Sequence, residues 1–240
     1  PNVTELDRPL PVRERSYPVP GRPGRAALGG IADARTVTVR GVCKPAPGQT
    51  LQQGMDAMTA QLDEGEFGAL YLRGVTSRYL RAEVLDIRFE EGGDLVGGVR
   101  YEVVFAVPSP FWYGDAESSA TLILGVGNAV TATNSGDRPT RARVELTISA
   151  APADSWVKVQ NLTTGKSFTL YPDAAIYIWT VDAESETITR TGTTADQTAR
   201  IRGVWLELAP GANLIEITVG GGGGGPTITL ARIYWRYRYR

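Results

Sequence analysis

Apolar and polar residues alternate over much of this chain, and that alternation predicts strands. In "RTVTVRGV", Val37 and Val39 face one way while Thr36, Thr38 and Arg40 face the other. In "GVRYEVVFAVP", Val99, Tyr101, Val103, Phe105 and Val107 share one face. In "RYLRAEVLDIRFEE", Leu80, Ala82 and Val84 start a series that Leu85, Ile87 and Phe89 continue one step out of phase, so a bulge is expected near Val84–Leu85. "ALYLRG" reads as a short strand. The one convincing helical period lies in "TLQQGMDAMTAQLDEG", where Leu51, Met55, Met58 and Leu62 form a stripe. Thr50 and Gln53 have the spacing of a capping box, and Gly65 is a plausible terminator. With its other face polar, this helix is expected on one side of a sheet.

The two long strands meet around "GGDLVGG" and exceed the usual strand of about 5–6 residues. Two readings stay open: a bulged hairpin turning a corner within one domain, or a hairpin that pairs with a neighbouring subunit. Its candidate interface residues are Leu80, Val84, Ile87, Phe89, Val99, Tyr101, Val103 and Phe105. Residues 1–35, rich in proline, arginine and glycine, read as an irregular arm with room for one short strand. After Asp115 the chain turns to short strands between turn signals: "ATLILG", "RARVELTIS", "WVKVQNL", "SFTLY", "AIYIWTV", "TITRTG", "VWLELAPG", "LIEITVG" and "TITLARIYWRYRYR". That rhythm predicts a sandwich or jelly roll. The glycine run Gly220 to Pro226 reads as a flexible hairpin loop. Two domains are expected, 1–115 and 116–240. "PSPFWYGD" lies between them, too broken by Pro108 and Pro110 for a central strand, and Phe111, Trp112 and Tyr113 are candidates for wedging the halves together.

Composition narrows the chemistry. The 240 residues carry 25 basic and 26 acidic side chains, a formal charge of −1, so no global field recruits nucleic acid or an anionic membrane. Glycine is frequent, 28 residues, which fits turn-rich β structure. No run approaches the ~18 apolar residues of a membrane span, and no charged-then-apolar leader opens the chain; a soluble protein is expected. There is no histidine, so a Ser-His-Asp or Cys-His device is not available. The single cysteine, Cys43, forms no intramolecular disulfide and reads as an inert buried thiol. "VDAESET" would place Asp182, Glu184 and Glu186 on one strand face, where a calcium site is conceivable and a solvated face is the simpler reading. No catalytic constellation, cofactor or metal site emerges, and no enzyme is expected.

Tryptophan and arginine are more telling. In "WVKVQ", Trp156 shares a face with Lys158 and Gln160; in "VWLEL", Trp205 sits with Glu207, opposite Val204, Leu206 and Leu208. Such tryptophans stack on sugars or are covered by a subunit, domain or loop. The final strand sets Ile233, Trp235, Tyr237 and Tyr239 against Arg232, Arg236, Arg238 and Arg240. Its arginines, Arg236 and Arg238 among them, either meet phosphates or pair with acids on adjoining strands.

The ordered run "PGRPGR", "RTVTVRG", a helix, "GALYLRG", "RYLRAEVLDIRFEEGG" and "YEVVFAVPSPFWYG" resembles the distal tail protein family of long, non-contractile-tailed bacteriophages and related gene-transfer particles. "NSGDRPTRARVELTIS", "VQNLTTGKSFTL" and "LELAPGANLIEITVG" resemble that family's C-terminal galectin-like sandwich. The resemblance implies a mainly β protein: a tail-tube-like α+β domain with a sandwich, one helix and a long hairpin, followed by a galectin-like or jelly-roll sandwich. It further implies a hexameric ring at the distal end of the tail in the virion, joining the tail tube to a baseplate hub or tail-tip protein, with DNA passing through unread. The alternative expectation is a carbohydrate-binding module that aids host adsorption through Trp156 and Trp205.

Overall fold

The structure is a computed structural model that describes residues 2–4, 12–18, 25–32, 35–62, 67–71, 77–90, 97–109, 111–173, 177–193, 195, 197–221 and 224–240. It is mostly β, with one α-helix among the described residues. The chain divides into two compact units, Pro1–Trp112 and Tyr113–Arg240. No helix among the described residues is long and apolar enough to cross a membrane.

In the first unit β1 (Asn2–Thr4) pairs with β4 (Arg35–Cys43), β4 with β7 (Val99–Val107), and β7 with β6 (Arg78–Phe89). A short β5 (Phe67–Leu70) also pairs with β6, and every one of these ladders is antiparallel. The alternation predicted for β4 and β7 holds because one face is buried. Val37, Leu80, Ala82, Val84, Val103, Phe105 and Val107 form the core. The bulge is also observed: the β6–β7 register shifts between Val84 and Asp86, and Leu85, the extra residue, is half exposed. Ile87 thereby regains the core side and packs against that core, as Val39 and Tyr101 also do. On β4 the glycine at position 41 makes room for the Tyr101 phenol, which lies across it and would have to move aside for any side chain there.

The helix α1 (Leu51–Gln61) lies against this core through Met58, with Leu62 just beyond its end. Its capping box forms as expected: Gln53 N–H donates to Thr50 Oγ1 at 3.2 Å, and Thr50 N–H to Gln53 Oε1 at 2.9 Å. The proposed terminator Gly65 lies outside the described residues. Thr50→Ala removes the cap, and the expected cost is about 1 kcal/mol. It should appear as faster hydrogen exchange at residues 51–54, with the sandwich amides of the second unit unchanged.

The arm departs from expectation. Instead of an irregular segment it contains β1 and an antiparallel hairpin, β2 (Val12–Pro18) with β3 (Arg25–Ala32), shifted in register between Glu14 and Ser16. Irregular spacing of apolar residues hid these strands from a reading by periodicity.

The second unit is a two-sheet sandwich. One sheet has the order β8 (Trp112–Thr121), β18 (Thr227–Tyr239), β10 (Thr140–Ala150), β13 (Tyr177–Asp182), β14 (Thr187–Arg190), with β16 (Glu207–Leu208) also on β10. The other runs β15 (Ile201–Gly203), β12 (Ser167–Leu170), β11 (Trp156–Asn161), β17 (Gly211–Gly220), β9 (Val130–Asn134). Trp179, Phe168, Leu146, Ile148, Leu170, Ile188, Leu208, Ile215, Ile217 and Ile233 are fully buried between the sheets. Trp235 reaches across from β18, its Nε1–H donating to Thr133 O on β9 at 3.1 Å.

Four local expectations change here. The segment after the two prolines is a regular strand, β8, since Pro108 and Pro110 precede it and remove none of its donors. "ATLILG" ends that strand rather than forming one, and Ile123 is 60% exposed. The glycine run does not close a hairpin: it joins β17 of one sheet to β18 of the other. Val204, expected in the core, is exposed, because β16 begins only at Glu207.

Candidate functional site

The sequence-derived candidates occupy several places. Leu80, Val84, Val103 and Phe105 of the hairpin lie in the first unit's own core, Ile87 and Tyr101 pack on it, and Phe89 and Val99 are half-buried. An interface built on this hairpin would therefore use its outward residues, such as half-exposed Leu85. Of the aromatic triplet, Trp112 packs on the first unit's core. Tyr113 is buried among second-unit groups: its hydroxyl bonds Glu184 Oε1 at 3.0 Å, and the Arg238 guanidinium lies over its ring at 5.3 Å. Phe111 is half-buried.

Two arginines of the last strand, Arg236 and Arg238, are held by their surroundings. Arg238, with its side chain 13% exposed, is ion-paired to Glu184, and Arg236 donates to the backbone oxygen of Asp115. On the next strand Arg143 bonds Glu117 and Glu145, both at 3.0 Å, and lies 4.5 Å from the centre of the Tyr234 ring. The outer face of this sheet is thus laced with ion pairs, which leaves Arg238 unsuited to gripping a phosphate backbone.

The acidic stretch is a turn and not a strand face. Asp182 ends β13, its carboxylate accepts from Glu184 N–H at 2.8 Å, and Glu186 adopts φ 56°. Glu184 and Glu186 then turn to Arg238 and to Arg141, so the three carboxylates do not converge. Among the described residues no group of acids, cysteine or histidine could hold a metal. Cys43 is buried and free.

The two tryptophans are separated by role. Trp205 packs against the sandwich core with Leu206 and Leu208 beside it. Trp156 stands on the outer face of the other sheet, as the alternation of β11 predicts.

Sequence reasoning missed two polar clusters inside the sandwich. At one end Asn161 Nδ2 donates to Asn213 Oδ1 at 3.0 Å and to Glu207 O at 2.7 Å. Asn213 also accepts from Ala209 N–H and donates to Ala209 O and Gly211 O. Asn134 donates to Arg138 O and Leu208 O, so buried asparagines tie β16 to the facing sheet. Their signal was present in the Asn-containing turns "TNSGD", "QNLTTG" and "GANL", which read as ordinary loops. At the other end Asp173 ion-pairs with Arg190 and, at 3.2 Å, with Arg200. Arg190 lies over Tyr177 and Trp179, at 4.5 and 5.7 Å. These clusters are structural plugs; they close the sandwich and hold no convergent reactive groups.

What the molecule offers is therefore a scaffold with outward sheet faces, and comparison with known proteins bears on the scaffold. No protein-family model matches the sequence, and no curated protein matches it. Among solved structures, the chain is similar to SPP1 Dit (gp 19.1), described as a paradigm of the hub adsorption apparatus in phages infecting Gram-positive bacteria, with a TM-score of 0.67 and 14% identity, covering 100% of this chain and 92% of that one. It is also similar to chains of the phage P2 baseplate in its activated conformation, with Ca at TM-score 0.58 and with Sr at 0.56, each 9% identical over 98% of this chain. These likenesses show a shared fold that runs through both units.

Proposed function

We propose that this chain is a structural virion protein, a ring-forming adaptor at the distal end of a phage tail, between the tail tube and a baseplate hub or tail-tip protein. The observation that carries this reading is the end-to-end likeness to SPP1 Dit, which includes both units in one order and leaves little of either chain over. The ordered sequence run ending in "PFWYG" supports it independently. The ion-paired sheet faces and near-neutral charge suit a conduit that lets DNA pass without holding it. In this reading Phe111, Trp112 and Tyr113 mark the junction between the ring domain and an outward sandwich.

Ring closure demands a heterologous interface, one surface of a copy meeting a different surface of the next. The outward side of the β6–β7 hairpin is the candidate for one of them. Light scattering of the purified protein, followed by negative-stain imaging, tests the reading: a closed ring of about six copies is expected. A monomer that stays monomeric when mixed with tail-tube and hub proteins would overturn it.

A further inference from the structure

The outer face of the five-stranded sheet carries side chains used neither by the core nor by the ion-pair network. On β11, Trp156 and Lys158 point away from buried Val157 and Val159. The register sets Lys158 between Thr218 on β17 and Thr169 on β12, and sets Thr169 beside Arg202 on β15. A row Arg202, Thr169, Lys158, Thr218 therefore crosses four strands. At ~4.8 Å per strand the two cations stand about 10 Å apart at the backbone. Neither forms an ion pair among the described residues.

A second row lies next to the first. Val157 pairs with Leu170, so the following position brings Tyr171, 41% exposed, alongside Trp156. On its other side Trp156 faces Gly220, and any side chain at that glycine would overlap the six-membered ring of the indole. With glycine at position 220 the indole reaches over the backbone of the neighbouring strand, and a side chain there would have to displace the ring. The neighbouring acids are engaged elsewhere: Glu216 accepts from Gly127 N–H at 2.6 Å, and Asp173 holds Arg190 and Arg200. Asp154 belongs to the turn before β11, where Ser155 N–H donates to Pro152 O.

We propose that this face binds an acidic polysaccharide. Trp156 and Tyr171 offer flat, amphipathic surfaces for sugar rings. Lys158 and Arg202 meet the carboxylates of successive residues through charge-assisted hydrogen bonds. Thr169 and Thr218 supply hydroxyls for the sugar's own. A neutral glycan would leave both cations unmatched, and an acidic peptide would leave the flat rings without a counterpart. The site is distinct from the pair Trp156 and Trp205, and it stands whether or not the chain forms a ring.

Affinity electrophoresis of the full chain through polygalacturonate, with dextran and polyglutamate in parallel gels, tests it. Retardation by polygalacturonate alone is expected. The double variant Lys158→Glu, Arg202→Glu should abolish it, and Trp156→Ala should weaken it at least about fivefold. Thr133→Ala, on the far strand of the same sheet, should leave it unchanged, and melting curves of all variants confirm folding. Equal retardation by polyglutamate would overturn the glycan assignment in favour of an acidic protein partner. Absence of retardation, or retardation that survives the charge reversal, would overturn the site.

Discussion

Trp179→Ala should destabilise the sandwich by about 3–5 kcal/mol, the range for emptying a core of its largest ring. For a unit of this size that is a fall of roughly 10–20 °C in the unfolding midpoint. The residue is 0% exposed, sits on β13 among Leu146, Phe168 and Ile188, and underlies Arg190 and Arg200 at 5.7 and 6.0 Å. Alanine would open a cavity and also strip the apolar surface on which two guanidinium groups rest. Trp179→Phe separates the contributions. Among the described residues the indole N–H has no hydrogen-bond partner, so losing it removes a buried donor without breaking any bond described. Phenylalanine should cost only about 1–2 kcal/mol, the volume difference alone. Thermal unfolding followed by near-ultraviolet circular dichroism would check both. A loss below about 1 kcal/mol for alanine would mean that the ring does not pack as described.

Asn213→Leu is the second large effect, about 3 kcal/mol or more, although leucine is apolar, similar in size and placed in an apolar interior. Asn213 is fully buried and works as a hub: it accepts from Asn161 Nδ2 and Ala209 N–H and donates to Ala209 O and Gly211 O. Leucine satisfies none of these and leaves the Ala209 backbone groups orphaned at the point where β16 reaches β17. Denaturant unfolding of the full chain would measure the loss. A neutral outcome would mean that water enters this end of the sandwich and takes over the bonds. Asn213→Asp is expected to be no better at pH 7, because it turns a carboxylate oxygen onto two carbonyl oxygens.

These predictions fall on residues that periodicity alone ranks poorly. Trp179 was one apolar position among many in "AIYIWTV", and nothing local distinguished it from Ile178, which proves 43% exposed. Asn213 read as part of a turn. For the proposed site the situation is mixed. Trp156 and Lys158 on one outward face follow from strict alternation in "WVKVQ". Arg202 and Tyr171 do not, since they come from other strands and join the face through register.

Local sequence was sufficient wherever one element buries one face. The capping box, the stripe of α1, the phase of β4 and β7 and the bulge between Val84 and Asp86 all follow from side chains whose periods match the backbone they impose. The class of the protein, mostly β with one α-helix among the described residues, followed in the same way. The partner of each strand was a different matter. Val219 and Ile228 stand on either side of the glycine run in the chain, which suggests a hairpin, yet they belong to opposite sheets. Strand pairing is chosen among many near-equivalent apolar faces by the packing of the whole core, and alternation carries no label for it. The fate of the charges was decided at that level too. The arginines of β18 look free along the chain, and the fold alone brings Glu184, 54 positions from Arg238, within reach of one of them.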